Sequence, residues 1–132
     1  MRYALMIVLG LVIGVAGTVM AMTSLNRGPH FPESLMHMQG FHMRALDANT
    51  AQHRCAVSDT QPQLQALRAL SNDIEPVFLP IEKEQDFRQK ASDMRASLDS
   101  LLAAPPADCT ALGAAIHKLE RACKSCHDEF RS

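Results

Sequence analysis

The chain has 132 residues and a formal net charge of −1, which leaves room for one modest domain once any targeting segment is set aside and gives no electrostatic reason to expect nucleic acid as a partner. Aromatic residues are scarce (five Phe, one Tyr, no Trp), and beyond the first two dozen positions Leu, Ala and Met outweigh the β-branched residues. That balance favours helices over strands and makes an all-α fold the expectation.

Residues 4–22 (ALMIVLGLVIGVAGTVMAM) form an uncharged apolar run behind Arg2, so this segment is expected in the membrane and not in the domain core. Val19 and Ala21 offer a small-residue cleavage site after Ala21, while the length of the run, near that of a bilayer span, favours a retained anchor. Residues 1–25 therefore read as signal peptide or transmembrane anchor. With Arg2 held inside, the remainder is exported to the periplasmic side, where disulfides persist. Residues 26–32 (NRGPHFP) hold two prolines and a glycine without apolar periodicity and read as a linker.

Residues 33–132 carry four amphipathic helical patterns. The first starts near Glu33 and runs from Leu35 towards Arg54, with Met36, Gly40 and Met43 on one stripe at i, i+4 and i+7. A Met-rich stripe serves either as gap-filling core or as the wall of a cofactor site. Pro62, behind an N-cap at Asp59 or Thr60, opens the second helix, whose stripe is Leu64, Leu67, Leu70 and Ile74 and which Pro76 and Pro80 close. The third, about Glu82 to Ala103, places Phe87, Ala91, Met94, Leu98, Leu101 and Leu102 together until Pro105 and Pro106 stop it. The fourth, from an N-cap at Asp108 to about Phe130, continues its stripe of Leu112, Ala115, Ile116, Leu119 and Ala122 into Cys123 and Cys126. Short connections make sequential helices neighbours, predicting an antiparallel four-helix bundle behind an N-terminal hydrophobic membrane segment.

The most specific stretch is Cys123-Lys124-Ser125-Cys126-His127. Cys-x-x-Cys-His is the attachment pattern of c-type haem: two thiols three apart share a helix face and add to the two vinyl groups, and the following imidazole becomes an axial iron ligand. A thioredoxin-like pair would need a preceding strand and a helix N-terminus, whereas this pair lies several turns into a helix. A zinc site from Cys109, Cys123, Cys126 and His127 would use two adjacent ligands, poorly suited to a tetrahedral ion, and no second pair completes a familiar set. The remaining cysteines, Cys55 and Cys109, fall at the same end of the predicted bundle in an oxidising compartment and are expected to form a disulfide.

With these residues in view, the chain resembles the class II cytochromes c, cytochrome c′ and its low-spin monohaem relatives. The resemblance is carried by ERACKSCHDEFR (residues 120–131), close to the family's C-terminal haem motif. Leu35, Met36, Gly40 and Met43 in the first helix, and Phe87-Arg88-Gln89-Lys90 in the third, carry it less strongly. It implies one covalent haem c on Cys123 and Cys126, His127 as the proximal iron ligand, Arg131 near the proximal face and Met36 at the distal position. In low-spin members that position is a ligand; in cytochrome c′ proper it is uncoordinated.

The expected function is single-electron transfer by a His/Met-ligated monohaem protein, with redox proteins as partners, the membrane as a further partner if the N-terminal segment stays uncleaved, and a homodimer compatible with the family. No carboxylate pair or Ser/His/Asp set suggests an enzyme, and His30, His53 and His117 read as surface residues. Two alternatives stand beside this: a five-coordinate, gas-binding haem protein, and an anchored haem subunit of a respiratory or photosynthetic complex. Met36, His37, Met38, His42 and Met43 are the candidate sixth ligands. At about 100° per residue they cannot all face one iron, and Met36 is preferred because the haem must lie where the last helix ends and the first begins.

Overall fold

The structure, a computed structural model, describes residues 2–25 and 31–131. Among them every regular element is an α-helix: α1 (Arg2–Leu25), α2 (Phe31–Ala51), α3 (Val57–Leu70), α4 (Ile74–Phe78), α5 (Glu84–Ala103) and α6 (Cys109–Phe130). The chain divides into two compact units, Met1–Phe31 and Pro32–Ser132.

In the first unit α1 is apolar on all sides, and side chains such as Ile7, Leu11 and Ile13 are exposed along it. Among the described residues no helix is long and apolar enough to cross a membrane. Residues 26–30, read as linker, and with them His30, lie outside the described residues. Phe31 and Pro32, also read as linker, open α2 instead; proline is tolerated in a first turn, where its missing N–H would have no helical partner anyway.

In the second unit the four long helices share a core at one end. Leu46 of α2, Leu64 and Leu67 of α3, Met94 and Leu98 of α5, and Leu112, Ile116 and Leu119 of α6 form one buried cluster. Each fully buried leucine contributes about 2 kcal/mol by its removal from water. Helix α5 packs closely against both α3 and α6. Cys55, just beyond α2, and Cys109, the first residue of α6, are joined by a disulfide with Cα atoms 5.2 Å apart. His53, in a left-handed turn at φ 56°, directs the chain out of α2 towards it. The end of α2 is thus fastened to the start of α6, and the two helices run in opposite directions.

Helix starts follow the local chemistry with one correction. Asp108 caps α6 as its residue type suggests, its side chain accepting from the Ala111 N–H at 2.8 Å. Helix α3, however, begins at Val57 with Ala56 as N-cap, so Asp59 and Thr60 lie within it and Pro62 sits in its interior. A contact from α2 and a local bond extend it backwards: the Asn49 side chain of α2 donates to the Asp59 carbonyl at 2.8 Å, and the buried Thr60 turns its hydroxyl back to the Ala56 carbonyl one turn earlier.

The second correction concerns Ile74, which belongs to a separate short helix and not to the stripe of α3. Helix α3 stops at Leu70, and α4 runs through Pro76. Two arginines of α5 hold it in place: Arg95 reaches Glu75 at 2.6 Å and Arg88 reaches it at 2.9 Å. The Arg95 hydrogen bond holds the Glu75 carboxyl below the usual carboxylate range. So placed, Ile74 joins Leu35, Phe87 and Ala91 in a second buried cluster at the other end of the bundle.

Closing a loop with a sequence separation of 54 removes chain entropy from the unfolded state worth about 4 kcal/mol in the loop-closure account. Replacing both cysteines (Cys55→Ala with Cys109→Ala) is expected to lower the unfolding free energy towards that amount. Chemical denaturation of both proteins measures it; an unchanged midpoint would show that the bridge adds no constraint.

Candidate functional site

At the end of the second unit opposite the disulfide, α2, α4, α5 and α6 close only partly, around the cluster of Leu35, Ile74, Phe87 and Ala91. They line an open groove of about 1110 Å³, just above the range of roughly 300–1,000 Å³ in which small-molecule and cofactor pockets fall. The leucine core and the disulfide hold the helices together at one end. At the other, Met36 and Gly40 of α2 face the last turns of α6 across the gap.

Cys123, Cys126, His127 and Arg131 all line this groove. Cys123 and Cys126 continue the face that buries Leu112, Ile116 and Leu119, so the stripe that fills the core at one end supplies the thiols at the other. Both thiols are unbonded and half-buried. Burial raises the pKa of both: Cys123 is pushed further by its neighbour Cys126, while Lys90 partly offsets the rise at Cys126. Cys109, the fourth member of the conceivable zinc set, is bonded to Cys55.

The last turns of α6 are laced to α5. Lys90 donates to Ser125 at 2.8 Å and approaches Glu129 at 3.4 Å, and Lys83 reaches Glu129 at 3.1 Å. These exposed pairs are individually weak, but they act on one helix turn together with an aromatic contact. Phe130 meets the buried Phe87 edge-on at 5.2 Å, and Phe87 in turn meets Phe78 at 6.1 Å. The main-chain N–H of Arg131 closes α6 on the His127 carbonyl at 3.1 Å.

On the facing wall, Met36, Gly40 and Met43 line the groove as one stripe, flanked by the buried stripe of Leu35, Gln39, Leu46 and Asn49. Met36 packs against the cluster of Ile74 and Phe87, and Met43 against the leucine core. No neighbouring helix approaches Gly40; a Cβ there would meet only the tip of the Arg44 guanidinium, at 3.2 Å. The glycine therefore keeps a gap in the wall, with a cation folded over it. Of the other candidate ligands, His37 lies on the rim beside Glu33 at 3.6 Å. Met38 is exposed and outside the groove, and His42 is bonded to Gln63 of α3 at 2.7 Å, also outside it.

These residues fit a haem. The walls are mostly apolar, and the thiols, an imidazole and a thioether stand on two facing helices. Arg44, Arg121 and Arg131 line the groove without a carboxylate partner among the described residues, leaving cations free for the acidic side chains of the ring. Sequence reading missed the α4 wall (Ile74 and Phe78), Lys90, Gln39 and the cations Arg44 and Arg121. For α4 the signal is present, since Pro76 within an apolar stretch marks a break in a helix as well as an end. For Gln39 the signal is a polar residue on an otherwise apolar stripe; its Nε2 is buried without a hydrogen-bond partner, an arrangement costing about 1–3 kcal/mol.

A helical bundle with a Cys-x-x-Cys-His motif along an apolar groove is the arrangement expected of a haem protein. Residues 80–131, which hold α5, α6 and the motif, match the family described as Cytochrome C′, and that match supports the resemblance to the class II cytochromes c. No curated protein and no solved structure matches the chain.

Because burial disfavours the thiolates of Cys123 and Cys126, both should alkylate more slowly at neutral pH than an unhindered cysteine in the haem-free chain. Their reactivity should rise only at higher pH, since a raised pKa delays formation of the thiolate nucleophile. Rates of iodoacetamide labelling across a pH series test this, and labelling as fast as a free cysteine would contradict it.

Proposed function

We propose that the protein carries single electrons on the periplasmic side of the membrane, as a monohaem c-type cytochrome with one haem bonded to Cys123 and Cys126 and ligated by His127 and Met36. Bound haem supplies an iron that takes up and releases one electron. The chain's part is to hold that iron in one ligand set, keep water from it and present an edge to partner redox proteins. The observation that carries this reading is the pairing of Met36 with the Cys-x-x-Cys-His motif across one groove. Histidine with methionine raises the potential relative to two histidines, and the alternative histidine His42 is turned to α3 by Gln63.

Electron transfer requires little of the side chains beyond rigid support, and the features around the motif supply it: Phe130 on Phe87, the Lys90 and Lys83 pairs with Glu129, and the Glu75 clamp on α4. We read the protein as a carrier and not as an enzyme. The apolar, uncharged run of residues 4–22 behind Arg2 supports export, with the segment retained as an anchor or removed after Ala21. The antiparallel four-helix arrangement belongs to the same reading. A gas-binding protein with an empty sixth position is the competing one, and the same experiment separates them.

In protein matured with haem, acid-acetone extraction should leave the haem on the chain. The ferric spectrum should show a sulfur-to-iron charge-transfer band, and carbon monoxide should bind slowly. Met36→Ala should abolish the band and open the iron to rapid carbon monoxide binding while the haem stays attached. Rapid binding by the parent, or an unchanged spectrum in the variant, would reduce Met36 to core packing and favour the gas binder.

A further inference from the structure

Buried polar side chains elsewhere in the bundle are satisfied. Asn49 donates to the Asp59 carbonyl at 2.8 Å, Thr60 to the Ala56 carbonyl at 3.3 Å and Ser71 to the Leu67 carbonyl at 2.7 Å. Gln39, only 7% exposed, is the exception among the described residues: its Nε2 donates to nothing. It also differs from them in place, because it lines the groove.

The surroundings narrow what the amide can meet. Of the groove's residues, Ile74, Phe87, Ala91 and Met94 offer no acceptor stronger than a thioether, and the carboxylates are engaged elsewhere, Glu33 beside His37 and Glu120 with His117. His42, one turn further along the same flank of α2, is engaged by Gln63. On its own helix the neighbours of Gln39 at three and four residues' distance are Leu35, Met36, His42 and Met43, of which Leu35 offers no acceptor and His42 is engaged. Met43 packs into the leucine core; Met36 lies among the cluster that includes Cys126 and Phe130.

The geometry points to Gln39 as the positioning residue for the sixth ligand: its Nε2–H donates to Met36 Sδ once that sulfur faces the iron. This rests on the reading of Met36 as ligand. A thioether has two lone pairs; one is used in ligation and the other accepts from the amide. The bond fixes the sulfur's orientation, and the positive end of the N–H dipole near the iron disfavours the ferric charge, so the amide raises the potential. The device uses a residue that costs stability in the haem-free chain and is satisfied only with the site assembled.

The test uses haem-loaded full-length protein and two substitutions. Gln39→Leu fills the space without a donor, and Gln39→Ala removes both donor and volume. Both should lower the midpoint potential and shift the sulfur-to-iron charge-transfer band of the ferric form, with circular dichroism confirming the fold. A potential and band unchanged in Gln39→Leu, with a change only in Gln39→Ala, would make Gln39 a packing residue and overturn the inference. If the parent lacks the band and Met36→Ala alters nothing, the ligand assignment itself fails, a result readable apart from either Gln39 variant.

Discussion

The fold depends on fastening α2 to α6 at one end only. The Cys55–Cys109 disulfide and the leucines around Leu46, Leu67 and Leu98 hold the ends of the helices together. At the opposite end α2 and α6 meet only around the smaller cluster of Leu35, Ile74, Phe87 and Ala91, against which Met36, Cys126 and Phe130 pack, and the groove opens beside it. Close packing along the whole length would leave no room for a planar cofactor. A bundle without the fastening would have to hold its open end against the entropy of a loosely tethered first helix. Stability and cavity are thus separated along the axis of one bundle.

That separation places different demands on successive turns of α6. Leu112, Ile116 and Leu119 fill the core, whereas Cys123, Cys126 and His127 lie along the groove. Orientation is supplied from α5, through Phe87 and the lysines that meet Ser125 and Glu129. Helix α5 itself is braced from its other side by Glu75 of α4, which bridges Arg88 and Arg95. A chain of contacts from α4 through α5 to α6 therefore supports the haem motif, although α4 is far from it in sequence.

Much of the fold is legible in the amino-acid sequence. The three-four spacing of leucines in α3, α5 and α6 identifies the buried faces, and the Asp108 cap marks the start of α6 at the right residue. Ile74 misleads because its spacing from Leu70 fits the period of α3, whereas the helix breaks after Leu70, where the chain turns towards α5. The start of α3 misleads for a similar reason. Asp59 and Thr60 are good caps by residue type, yet the buried contacts of Thr60 and the Asn49 hydrogen bond draw the preceding residues into the helix. Local preference is worth a few tenths of a kcal/mol to about 1 kcal/mol, and tertiary contacts of that size override it.

The sequence by itself determined the helical character of the chain, the buried stripes and the Cys-x-x-Cys-His attachment motif. All three arise within a few residues of chain: helical period, cap chemistry and ligand spacing are local properties. Which residues face that motif was decided only by tertiary structure. The stripe of Met36, Gly40 and Met43 alone is equally consistent with core packing and with a cofactor wall; the open end of the bundle placed it on the groove, and the Gln63 contact held His42 on α3, outside the groove. Gln39 shows the same dependence most clearly. Its burial and its missing partner belong to the way α2 lies over α4 and α5, and no spacing along α2 records them.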